Sequence, residues 1–202
     1  MTDRQFFWGF SNGIMMLAIA GTFWLGYGFG PHLGQSGWVL PAVFTVVLYG
    51  TCAAIVWCAL RLRRKVGFKR SELKQGDERQ RAETHKILVG FLYIGIAQAV
   101  LIALAVLLCF RLGHEDLVGP SIALIVSLHF IPLGRIFHVR PYYFVGIMGC
   151  AISLVAFSPV FGVGRLMFLG GTMGVLLWLV AVYMLWRADQ IGARAIREPW
   201  AA

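Results

Sequence analysis

What this chain of 202 residues has least of is charge, and negative charge above all: 9 Asp and Glu stand against 18 Lys and Arg. Charged residues make up 13% of the chain and hydrophobic ones 59%, where a water-soluble domain carries roughly 25% and 45–50%. That leaves too little polar surface to keep a fold of this size in water. Six runs, 6–27, 37–60, 87–110, 117–134, 142–157 and 166–186, hold no Asp, Glu, Lys or Arg. With no carboxylate inside a run, proton or sodium coupling through a buried acid is disfavoured. The sequence also lacks a phosphate-binding glycine loop, a G-x-S-x-G elbow, an H-E-x-x-H helix and a dinucleotide fingerprint. No histidine pair suggests a b-type haem. The 4 cysteines, Cys52, Cys58, Cys109 and Cys150, lie in or at the ends of runs. None forms a C-x-x-C, so they read as small apolar fillers rather than a disulfide framework or zinc site. No catalytic constellation, cofactor site or metal site is therefore expected. An enzyme acting on a lipid or quinone remains a third reading, without residues to carry it.

What is present is a membrane pattern. A helix needs about 20 apolar residues to cross the roughly 30 Å of hydrocarbon. The fourth and fifth runs are short, and the brief connector 135–141 makes a helical hairpin of them. A transmembrane barrel would show alternating segments of about ten residues, whereas these runs are continuous. Lipid offers backbone groups no partner, so continuous runs are helices. The fold expected is all-α: one integral membrane domain over 1–202 with six transmembrane helices. Arg4 and the small residues Ala18-Ile19-Ala20 resemble a cleavable signal. The apolar run continues past them through Trp24 and Tyr27, which favours a retained first span.

The basic residues give the orientation. One lies before the first run (Arg4), ten in the connector 61–86, two in 135–141 and three after the last run, making 16 on one side. The other side has Arg111 and Arg165 only. This asymmetry predicts cytoplasmic N- and C-termini. Trp8, Trp38, Trp57, Tyr142, Tyr143 and Trp186 fall near run ends, where aromatic belts sit. The formal charge of +9 could suggest a nucleic-acid partner, but the basic residues adjoin apolar spans, so none is expected. In the connector, Gly76 and Asp77 read as a helix stop and an N-cap. The third helix is expected to begin there and to extend about two turns into the cytoplasm. Arg61, Arg63, Arg64, Lys65, Lys69 and Arg70 would meet anionic headgroups, each adding about 1 kcal/mol of attraction. The connector serves either as a topology determinant that holds lipid or as a dock for an acidic partner or regulatory lipid.

Small residues at four-residue spacing allow close helix packing, within a chain or between copies. Gly9 with Gly13, Gly26 with Gly30, and Gly170 with Gly174 have it, and Gly95, Ala99 and Ala103 form a stripe on the third helix. They serve bundle packing or a homo-oligomer seam. Strongly polar side chains inside the runs are few: Asn12, Gln98 and His129, with Ser11 and Ser127 in support. His129 is the one ionisable residue among the runs' strongly polar groups, and such a group marks a possible functional site. Pro132 cannot donate to the carbonyl of Leu128, which predicts a kink or break beside the histidine, a hinge of the kind that builds sites in transporters. At 1.5 Å per residue, Asn12 and His129 both lie roughly 9 Å inside the same boundary. His129 either packs as a neutral imidazole bonded to a neighbouring helix, takes part in binding or gating, or ligates a metal.

The stretch Leu128-His129-Phe130-Ile131-Pro132-Leu133, followed by Pro141-Tyr142-Tyr143, resembles a pattern in small bacterial multi-spanning membrane proteins of unassigned function. It covers about a tenth of the chain. The resemblance implies a bacterial inner membrane and transfers no activity. Two functions are expected. The first is binding or passage of a small neutral or weakly charged solute through a polar pocket lined by Asn12, Gln98, Ser127 and His129, hinged at Pro132. The second is a non-transporting scaffold whose loop 61–86 contacts anionic lipid or a cytoplasmic partner.

Overall fold

The computed structural model describes residues 3–33, 39–65, 78–137 and 139–197. Lys69, Arg70, Trp38 and the expected helix start at Gly76–Asp77 lie outside the described residues. Among the described residues six α-helices carry the fold: α1 (Asp3–Leu33), α2 (Val39–Lys65), α3 (Glu78–Arg111), α4 (Val118–Phe137), α5 (Arg140–Ala156) and α6 (Arg165–Arg197). Short 3-10 turns at Glu115–Leu117 and Pro159–Gly164 precede α4 and α6, and there is no strand among the described residues. α3 is already helical at Glu78, well before the apolar run at Ile87, so the helix extends about two turns beyond that run, as expected.

Five helices are long and apolar enough to cross a membrane: the segments Phe10–Leu33, Val39–Leu62, His85–Arg111, Glu115–Phe137 and Arg165–Ala188. The fourth, expected to be marginal, reaches this length because helix continues on both sides of the apolar run. α5 is apolar but has 17 residues, about 25 Å of rise. Its ends are set locally. Val139 is extended just before it (φ −105°, ψ 99°), and Pro141 occupies the first turn, where its missing N–H costs nothing. Beyond Phe157, Ser158 is extended (φ −61°, ψ 137°), the conformation favoured before proline. α3 ends in a Schellman turn. His114 N donates to Cys109 O (2.9 Å) and Gly113 N to Phe110 O (3.2 Å). Gly113 sits at φ +70°, a region that glycine enters without a Cβ penalty.

Contacts between helices fix their directions. Along α1 and α6, Gly28 meets Gly170, Gly21 meets Gly174 and Gly13 meets Met184, so the two run antiparallel. Phe29 meets Phe44 and Ser11 donates to Ala59 O at 3.5 Å, so α2 returns alongside α1. Phe91 meets Phe137 and Cys109 meets Ser121, so α3 and α4 are antiparallel. Gly134 meets Tyr143 and Gly149 meets Ser127, making α4 and α5 the expected hairpin. Gly119 at the start of α4 lies against Leu166 at the start of α6 and Tyr27 near the end of α1. Helix direction thus alternates along the chain. α5 runs from the end of the bundle where α1 begins and α6 ends to the opposite end, where α6 begins.

The α1–α6 pair is the core, with Ile14, Leu17, Leu169, Met173, Leu177 and Met184 fully buried. α2 packs on this pair, α5 packs on α6, α4 on α5, and α3 on α4 at the outer edge. Of the small-residue motifs, Gly170–Gly174 forms the closest approach. A Cβ on Gly170 would lie 2.5 Å from Gly28 Cα and 2.5 Å from Trp24 O. The partner on α1 is Gly21 with Gly28, seven residues apart, rather than the Gly26–Gly30 pair. Gly30 has open space around it, as has Gly95 on α3. Gly95, Ala99 and Ala103 are all exposed and form no close-packed seam among the described residues.

Pro132 does not break α4, which is helical from Val118 to Phe137. α5 supports both sides of the proline: Gly146 sits against Ile131 and the Ser127 carbonyl, and Gly134 receives the Tyr143 ring. Packed neighbours of this kind let a membrane helix carry an internal proline.

Candidate functional site

The residues expected to line a polar pocket are spread over three helices. Ser127 on α4 is fully buried, and its Oγ donates to Ala123 O at 2.7 Å. A Cβ on Gly149 would lie 2.3 Å from that Oγ, so Ser127 is part of the α4–α5 contact. His129 Nδ1 bonds to the carbonyl of Val126, one turn back on its own helix. A carbonyl only accepts, so Nδ1 carries the proton. The interhelical bond expected of a packing histidine is thus replaced by an intrahelical one. The ring is half-buried and tilted against Phe130, with centroids 4.5 Å apart.

Asn12 on α1 and Gln98 on α3 are half-buried. Neither has a side-chain hydrogen bond among the described residues. α3 packs on α4 and the turn before it, away from α1, so Gln98 and Asn12 do not converge. Asn12 and His129 do lie at one level, since their neighbours Gly13 and Phe130 both touch Tyr142. A Cβ on Gly13 would be 1.9 Å from the Tyr142 hydroxyl, and the Phe130 and Tyr142 rings are 5.8 Å apart. Tyr142, on α5, is wedged between α1 and α4 at that level.

Tyr142 was expected in an aromatic belt, but it is 6% exposed. It continues a row of rings through Phe137 (6.4 Å) to Phe91 on α3 (6.2 Å). One tyrosine therefore ties α3, α4 and α5 to α1 at the end of the bundle where α1 begins and α6 ends. Its place after Arg140-Pro141 suggested the belt, and nothing in the local pattern marks it as interior.

Several other polar groups inside the bundle bond to backbone carbonyls. Thr22, Ser153 and Thr172 donate to carbonyls four residues back at 2.6–2.8 Å. Trp178 Nε1 reaches from α6 to Ala18 O on α1 at 3.1 Å. At the opposite end, Arg165 is 7% exposed. Its guanidinium pairs with Asp116 beside the start of α4 and reaches the Ser158 carbonyl at 3.5 Å. Counted by connector, Arg165 and Asp116 look like isolated loop charges. In the fold they lock the α4 and α6 starts together. No group of three metal-ligating side chains occurs among the described residues.

The basic residues at the ends of α2 and α6 make a different kind of site. Leu48, Ile55, Ala59 and Leu62 are the buried stripe of α2, which turns Trp57, Arg61 and Arg64 outward. The Arg61 guanidinium lies over the Trp57 ring, 5.3 Å from its centroid, a cation–π stack that holds the charge in place. A groove opens beside it, lined by Trp57, Cys58 and Arg61 from α2 and by Val182, Leu185 and Trp186 from α6. A neighbouring cleft is lined by Trp57, Leu60, Arg61 and Arg64. Ala59 and Met184 touch α1 at Ser11 and Gly13 respectively, so Arg61 and Trp186, two residues further on, stand at one level. Arg63 and Lys65 belong to the same end of α2.

No family model matches the chain, and the comparisons with curated proteins and with solved structures give no match either.

Proposed function

We propose that this chain is a multi-pass protein of a bacterial inner membrane, crossing six times with both termini cytoplasmic. We propose further that it is a non-transporting scaffold whose basic end engages anionic lipid. The observation that carries this reading is the arginine–tryptophan cluster where α2 and α6 end. Arg61 stacked on Trp57 and level with Trp186 combines headgroup charge with interfacial aromatics at the depth where both are stable. The ten basic residues of 61–86 continue the charge into the adjoining connector. The alternating helix directions support six crossings, with α5 running between the end of α4 and the start of α6. The basic asymmetry then assigns the end with the termini to the cytoplasm.

The solute-passage reading draws less support. It needs Asn12, Gln98, Ser127 and His129 around one cavity. Gln98 lies on the outermost helix, Ser127 is committed to the α4–α5 contact, and Tyr142 is wedged between Gly13 and Phe130, the chain neighbours of Asn12 and His129.

The test is the composition of the lipid held by the full chain. The protein is extracted from a bacterial membrane in polymer-bounded discs, and the ratio of phosphatidylglycerol and cardiolipin to phosphatidylethanolamine is compared with the bulk membrane. Enrichment that declines when 61–86 is neutralised supports the proposal. A ratio equal to the bulk refutes it.

A further inference from the structure

Resting on that reading, we infer that the groove between α2 and α6 holds one anionic phospholipid as a discrete site. Its phosphate sits on Arg61 and Arg64, and an acyl chain lies against Val182 and Leu185. Three features carry this. First, among the described residues neither Arg61 nor Arg64 is paired with a carboxylate, and none of the described residues lining the two clefts is Asp or Glu. Second, the charge is pre-organised. The Arg61 guanidinium lies over the Trp57 ring, 5.3 Å from its centroid, a contact that restrains it at the mouth of the groove, and a restrained guanidinium suits phosphate binding. Third, the groove changes character along its length. The level of Arg61 and Trp186 is the interfacial end. One turn deeper the walls are Trp57 and Cys58 from α2 and Val182 from α6. An acidic peptide or a free phosphate would use only the first part. A diacyl phosphate ester uses both, which commits the site to lipid.

Cys58 supplies an internal reporter. It lines the same groove, is half-buried and is a free thiol. A bound acyl chain would cover it.

The experiment uses the full chain, delipidated in detergent and titrated with phosphatidylglycerol or phosphatidylcholine, with bound lipid counted by native mass spectrometry. The expected result is one tightly retained phosphatidylglycerol per chain, no equivalent phosphatidylcholine, and no displacement by millimolar inorganic phosphate. Arg61→Gln with Arg64→Gln should weaken the first adduct by about 25-fold, roughly fivefold per charge. Neutralising Lys69, Arg70, Lys74, Arg79 and Arg81 should leave it in place. On the unmutated chain, phosphatidylglycerol should slow maleimide labelling of Cys58, read on its own peptide. That measurement does not depend on any variant folding. A first adduct unchanged in the Arg61/Arg64 variant, or lost in the connector variant, overturns the groove site while leaving a lipid-binding basic end. Equal retention of the two lipids by the unmutated chain overturns both. Displacement by inorganic phosphate would mean that the site reads phosphate alone.

Discussion

Gly170→Ala tests the packing account where it is least forgiving. The new Cβ would lie 2.5 Å from Gly28 Cα, 2.5 Å from Trp24 O and 2.6 Å from Gly28 N. All three are backbone atoms, so no rotamer change relieves the clash, and α1 and α6 must separate by about 1 Å to restore ordinary contact. Overpacking costs about 1–3 kcal/mol, and a backbone-to-backbone clash belongs at the upper end. Alanine returns up to about 1 kcal/mol through its better helix propensity. The net loss is about 2 kcal/mol, or roughly a 30-fold fall in the folded-to-unfolded ratio. It is measured by titrating the protein in mixed micelles with a denaturing detergent and following helix content. Gly30→Ala and Gly95→Ala are the controls, since both sites have open space, and they should be neutral or mildly stabilising. If Gly170→Ala behaved like these controls, the close α1–α6 seam would be wrong.

Gly13→Ala should destabilise by about 1–2 kcal/mol, because its Cβ would strike the Tyr142 hydroxyl. Adding Tyr142→Phe should recover part of that loss in the same titration, and failure to do so would place the ring elsewhere. Asp116→Ala leaves the buried Arg165 guanidinium short of a partner and should cost about 1–2 kcal/mol. Arg165→Met, which leaves no buried charge behind, should cost less, and the reverse order would contradict the lock. With the four native cysteines replaced, His129→Cys should resist an impermeant thiol reagent from both faces of sealed vesicles. Labelling from either face would reveal a water path and revive the solute-passage reading.

Hydropathy alone located the helices, because an uncharged run of this length has few alternatives to crossing a bilayer. The hairpin of α4 and α5 was legible from its short connector. The lateral arrangement was not. In a membrane protein the lipid-facing and core-facing surfaces are both apolar, so amphipathic pattern does not tell which side packs. Gly170 and Gly174 announce a close-packing face, yet their partners Gly21 and Gly28 have a spacing that no four-residue motif detects. Tyr142 read as a belt residue because interior and interface both accept tyrosine. Pro132 read as a break because the lost hydrogen bond is visible in sequence while the supporting surface of α5 is not. His129 drew attention as an ionisable group, but whether its proton faces its own helix or another depends on rotamer and neighbours. The α2–α6 groove was half legible: Arg61 and Arg64 stood out as lipid-facing charges, and the contribution of Val182, Leu185 and Trp186 required the fold.

The account stands on which end of the bundle faces the cytoplasm and on α5 completing a crossing. Single cysteines at His114, Val160 and Ala201 in an otherwise cysteine-free chain measure both at once, with labelling in right-side-out and inverted vesicles of a bacterial inner membrane. Six crossings with cytoplasmic termini predict labelling of His114→Cys and Val160→Cys from the outer face only, and of Ala201→Cys from the cytoplasmic face only. Labelling of Val160→Cys from the cytoplasmic face together with Ala201→Cys from the outer face would mean that α5 does not cross, and would remove the basic end from a single membrane face.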